Sequence, residues 1–159
     1  MGFLALLVVS CGNPTTGAGQ SPSPIVPVTT ATTASLPPTE VVHQATVRGT
    51  YQFDFERGVE TGSSTADVWW EQVDSTHRFL VPTNGAALAL IRGVSFENTT
   101  QAVLAAQRYS VLRLDGSDGP SNVLTPGAVV AIRTHDRRLV KMLVNSEGYD
   151  LGISWVTFA

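Results

Sequence analysis

From Val47 the chain alternates, with Val47, Gly49, Tyr51, Phe53 and Phe55 on one side and Arg48, Thr50, Gln52, Asp54 and Glu56 on the other. Successive side chains of an extended chain point to opposite faces, so a period of two predicts a half-buried strand and rules out a helix over this stretch. The same grammar recurs downstream. Extended segments are predicted at 66–73, 78–81, 86–91, 112–114, 128–134, 139–145 and 151–158, several of them rich in β-branched residues and bounded by Gly, Pro, Asn or Asp. Asn84-Gly85 between two apolar runs signals a tight turn. The pair 128–134 and 139–145, joined by His135-Asp136-Arg137-Arg138, reads as a hairpin. Only one stretch looks helical: about ten residues N-capped by Asn98 or Thr99. The expected fold is therefore mainly β, an antiparallel sandwich or small barrel with one short α-helix.

That fold is confined to residues 41–159. Six of the nine prolines fall between residues 12 and 40, among Thr, Ser and Gly. Proline removes a backbone donor and fixes φ, and the segment holds no periodic apolar face, so it is expected to be a disordered stalk. Ahead of it lies the apolar run Phe3-Leu4-Ala5-Leu6-Leu7-Val8-Val9, then Ser10-Cys11-Gly12. Seven apolar residues are too few to cross a bilayer and fit the core of a signal peptide, although no Lys or Arg precedes them. Val8-Val9-Ser10-Cys11 is similar to the lipobox of bacterial lipoproteins. Cys11 is the only cysteine, so no intramolecular disulfide can use it. The expected organisation is a signal peptide over 1–10, a lipidated Cys11 with its stalk over 11–40, and one domain over 41–159.

Charge narrows the partners. The net charge is −3 and the ten basic residues, nine of them Arg, are scattered along the chain, which disfavours nucleic acid. The segments Phe53-Asp54-Phe55, Ala66-Asp67-Val68-Trp69-Trp70, Leu80-Val81-Pro82 with Asn84-Gly85-Ala86, Val130-Ala131-Ile132-Arg133-Thr134 with Lys141, and Ile153-Ser154-Trp155-Val156-Thr157-Phe158 together resemble an uncharacterised family of exported bacterial β-rich domains. The resemblance covers nearly all of 46–158. It implies an extracytoplasmic setting and the extent of the domain, and it implies no activity and no catalytic residue.

Several residue groups are chemically eligible for a site. Trp69 and Trp70 are adjacent on a strand, so one ring enters the core and the other is left to stack on a sugar, with Asp67 and Glu71 beside it. Asp54, Glu56, Asp67 and Glu71 hold carboxylates of the kind glycoside hydrolysis uses in pairs, though their pattern is also that of a solvated sheet face. Asp115, Ser117, Asp118 and Asn122 offer oxygens to calcium in a Gly-rich loop, without the spacing or terminal Glu of an EF-hand. His43, His77 and His135 are isolated in sequence, and no nucleophile elbow or phosphate loop is present. Arg133 and Lys141 lie within apolar strands and call for carboxylate partners, for which Asp54, Asp67 and Glu71 are eligible. These readings converge on a non-catalytic domain held by lipid on the extracytoplasmic face of a bacterial membrane, with a structural or surface-binding role and no cofactor. Its expected partners are the membrane, through Cys11, and envelope polysaccharide or protein. The alternative is a carbohydrate-binding domain or a carbohydrate- or peptidoglycan-active enzyme.

Overall fold

The computed structural model describes residues 40–159; the expected signal peptide, Cys11 and the expected stalk up to residue 39 lie outside the described residues. The chain forms ten strands and one helix: β1 (His43–Val47), β2 (Gln52–Asp54), β3 (Val59–Glu60), β4 (Val68–Gln72), β5 (Arg78–Pro82), β6 (Ala87–Ile91), α1 (Gln101–Ala105), β7 (Leu114–Asp115), β8 (Val129–Arg133), β9 (Leu139–Ser146) and β10 (Leu151–Phe158). They build two antiparallel sheets, ordered β1-β10-β9-β8-β6 and β3-β2-β4-β5-β7. Each sheet keeps two edges, so the arrangement is an open sandwich and not the small barrel that the strand pattern also allowed. No helix of the described residues is long and apolar enough to cross a membrane.

The main core lies between the sheets. Val68, Trp70 and Leu80 from one sheet meet Val130, Ile132, Val140, Met142, Leu151, Ile153 and Trp155 from the other. The first sheet is buried on its outer face as well. Val129, Ala131 and Val156 pack there with Ile91, Phe96 and Leu104, which explains why β8 reads as an unbroken apolar run. The helix that helps cover this face is half the expected length. Its N-cap is Thr100, whose hydroxyl accepts a 3.3 Å bond from the Val103 N–H. Thr99 is buried and donates to the Ser95 carbonyl at 2.8 Å, so it closes the preceding turn instead.

The first alternating stretch is not one strand. It splits at residues 48–51, with β1 pairing to β10 in one sheet and β2 pairing to β3 and β4 in the other. Thr50 sits at φ 70°, and the Tyr51 N–H donates to the Arg48 carbonyl at 3.0 Å, a turn that carries the chain from sheet to sheet. The Asn84-Gly85 turn does the same between β5 and β6, with φ of 51° and 85° and a 2.8 Å bond from the Ala86 N–H to the Thr83 carbonyl. The β8–β9 hairpin and the final strand form where the sequence places them.

Two indoles fill the interior. Trp70 is fully buried, and its Nε1–H donates to the Tyr149 carbonyl at 3.1 Å. Gly116 makes room for it, because a Cβ there would lie 2.6 Å from the ring. Trp155 packs edge-on to Phe53 and Phe55, stacks on His43, and donates to the Phe55 carbonyl at 3.2 Å. Trp69 points outward and is only half-buried. Truncating a buried indole forfeits its transfer energy and leaves a cavity, so Trp70→Ala and Trp155→Ala should each lose about 3–5 kcal/mol. Trp69→Ala should lose about 1 kcal/mol or less. Urea titration of the three purified variants checks this; a Trp69 variant as unstable as the other two would contradict the assignment of faces.

Candidate functional site

The four residues Asp67, Trp69, Trp70 and Glu71 divide between the two faces of β4. Trp70 points inward, and Asp67, just before the strand, is fully buried. Trp69 and Glu71 share the outer face. Pairing sets Trp69 between Gln52 and Val81, and Glu71 opposite Phe79. Arg113 completes the patch: its guanidinium lies 3.5 Å from the Phe79 ring centroid and 3.2 Å from a Glu71 carboxylate oxygen. The result is a sheet face with two aromatic rings, Trp69 and Phe79, bordered by an amide, a carboxylate and a guanidinium. The ion pair is more than half exposed on the Arg side, so it orients side chains more than it stabilises the fold.

A second group forms where sequence showed only an isolated histidine. The β8–β9 turn carries His135 to Asp67, whose Oδ1 accepts both the His135 backbone N–H and the ring Nδ1 at 2.9 Å. Asp67 Oδ2 accepts the Phe55 N–H at 2.9 Å. One carboxylate therefore ties the end of β2, the start of β4 and the turn of the opposite sheet. Glu56 joins them, with one ligand-capable atom each of Glu56, Asp67 and His135 within 4.8 Å of the others. Both Glu56 carboxyl oxygens are buried and lack a well-formed hydrogen bond. Burial, aided by the neighbouring Asp67 charge, pushes the Glu56 carboxyl above its ordinary range, and the hydrogen bond with Asp67 raises the His135 imidazole. On its other side His135 Nε2 lies 3.4 Å from Asp136 Oδ1. No sequence spacing signals this group, since its members lie 11 and 68 residues apart.

The carboxylates considered for glycoside hydrolysis are thus partly brought together. Glu56 and Asp67 meet; Glu71 is on the far face, and the buried Asp54 accepts the Arg57 N–H at 2.9 Å. Glu56 borders a cleft of about 250 Å³ with His43, Arg57, Arg138, Trp155 and Thr157. Its oxygens are turned inside and Asp67 is saturated with N–H donors, whereas acid and base for a glycosidic bond must both reach the cleft.

The loop read for calcium is organised by hydrogen bonds of its own. Asp115 Oδ1 accepts the Ser117 N–H at 2.8 Å, the hydroxyls of Ser117 and Ser121 hold its carboxyl below the ordinary range, and Asn122 Oδ1 accepts the Leu124 N–H at 2.7 Å. Asp118 forms a two-pronged pair with the buried Arg78 at 2.8 and 2.9 Å. The cations within strands take partners other than those expected. Lys141 is buried on the outer face of the first sheet and pairs with Glu40, between the rings of Phe96 and Phe158. Arg133 is exposed and lies over Tyr109 at 5.2 Å. Glu40 escaped notice because it ends the Pro/Thr-rich segment. Comparison with known proteins matches the chain to no family model and to no curated protein.

Asp67 has no substitute in this arrangement. Asp67→Ala leaves the Phe55 and His135 N–H groups without their acceptor, and each unsatisfied buried donor costs about 1–3 kcal/mol. The variant should lose about 2–5 kcal/mol in urea titration. A loss below about 1 kcal/mol would show that these bonds do not join the sheets.

Proposed function

We propose that this chain is a lipid-anchored, non-catalytic domain on the extracytoplasmic face of a bacterial cell envelope, and that it binds envelope polysaccharide. The observation that carries the binding role is the outer face of β4 and β5, where Trp69 and Phe79 stand as diagonal neighbours, with Gln52 and Glu71 beside them and Arg113 over the Phe79 ring. A pyranose presents an apolar C–H face ringed by hydroxyls. Aromatic rings take the first and polar edges take the second, which is the composition found here. Each ring stands on a paired strand and has only two side-chain torsions to fix, so little ordering entropy is lost on binding. Anchoring rests on Val8-Val9-Ser10-Cys11 and on the Pro/Thr-rich segment between it and the domain. A single fatty chain holds a protein only weakly at a membrane, so the several chains of a bacterial lipoprotein cysteine suit a permanent anchor.

Two measurements address the two halves of this reading. In cells fed a clickable fatty acid, the wild-type chain should be labelled and Cys11→Ser should not; equal labelling of the two would overturn the anchor. In co-sedimentation with purified cell-wall polysaccharide below the melting range, Trp69→Ala should weaken binding about tenfold while the variant stays folded, the scale of one lost stacking contact. Undiminished binding by that variant, or no sedimentation of the wild type, would overturn the sheet face as the binding surface.

A further inference from the structure

We propose that Glu56, Asp67 and His135 form a binding site for one divalent transition-metal ion of the zinc class, which clamps the two sheets at one end of the sandwich. Zinc takes imidazole nitrogen and carboxylate oxygen at about 2.0–2.2 Å, so the ligand atoms of a tetrahedral site stand about 3.3 Å apart. His135 Nδ1 and Asp67 Oδ1 already stand 2.9 Å apart, and a carboxylate oxygen of Glu56 lies within 4.8 Å of one ligand-capable atom each of Asp67 and His135.

Three further features point the same way. Both Glu56 oxygens are buried without a well-formed hydrogen bond, and a carboxylate so placed demands a cation or a proton. Metal-binding histidines characteristically direct the ring nitrogen not bound to the metal at a carboxylate or carbonyl; His135 Nε2 has Asp136 at 3.4 Å. Asp67 is held from both sides, Oδ2 by the Phe55 N–H and Oδ1 by the His135 backbone N–H, and the metal would replace the proton that His135 Nδ1 shares with Oδ1. With three protein ligands a fourth position stays open for water. Glu56 and Asp67 flank β2 and β4 of one sheet, whereas His135 belongs to the β8–β9 turn of the other, so an ion held here links the sheets. This site lies apart from the Trp69 face, and neither proposal depends on the other.

The test uses the full, untagged chain stripped with chelator and titrated with Co²⁺ followed visibly and with Zn²⁺ followed by calorimetry. One Co²⁺ per chain should bind with the intense visible bands of four-coordinate geometry, Zn²⁺ should displace it, and saturating Zn²⁺ should raise the melting temperature. Glu56→Gln and His135→Gln should each weaken Zn²⁺ at least tenfold while keeping the far-ultraviolet spectrum of the fold. Asp136→Asn, acting through the imidazole, should weaken it about tenfold. Absence of stoichiometric binding to the wild type would mean that a proton alone holds Glu56 against Asp67. Binding that survives both ligand substitutions would place the ion at an exposed pair such as Asp74 and His77. Either result overturns the proposal.

Discussion

Trp155 stands in the last strand, yet what it touches comes from the first third of the domain. Its ring lies between the edges of Phe53 and Phe55 and the face of His43, and its N–H reaches the carbonyl of Phe55. This contact closes the sandwich where β1 begins and β2 ends, at the opposite end of β1 from the 48–51 crossover. Trp70 does the same from the opposite sheet, reaching the Tyr149 carbonyl just before β10. Two indoles, each filling apolar space and each with its polar atom satisfied by a distant loop, thereby set the separation of the sheets and the path of the loops between them. Gly116 is a consequence of that packing, since the indole occupies the room a side chain would take.

Most of the fold was legible because side-chain period is a local property. The final strand and the β8–β9 hairpin were plain in the alternation, and the sorting of Trp69 from Trp70 follows from adjacency alone. What escaped was decided by contacts distant in sequence. Arg48 to Tyr51 carries no strong turn signal, and the alternation runs on through it; only the pairing of β1 with β10 and of β2 with β4 breaks the strand there. The helix begins one residue later than expected because Thr99 finds a buried partner in the Ser95 carbonyl, which moves the cap to Thr100.

The site residues were harder for the same reason. His135 looked isolated because its neighbours are 68 and 79 residues away, and a hairpin turn in one sheet delivers it to a carboxylate in the other. Glu40 sits in a context of Pro and Thr and reads as linker, yet it is the carboxylate that Lys141 needed. A buried charge announces in sequence that a partner exists, and composition cannot say where that partner lies. The faces of strands, by contrast, could be read directly: once Trp70 is inside, Trp69 and Glu71 are outside together.

The domain's first strand is also an edge strand, bonded on one side only, to β10. Tension applied through the chain ahead of Glu40 therefore enters the fold at an edge strand. The load falls first on the Glu40–Lys141 pair and then on the five-residue ladder that begins at His43 and Trp155. Because the two strands run antiparallel, a pull directed away from the sheet opens that ladder one pair at a time from the Trp155 end, the mode of rupture that needs the least force. Peeling would lift His43 off the indole and leave β10 as a new edge. The ion pair, buried on its Lys141 side, is placed to resist that, acting as a cleat at the point where the rope meets the hull.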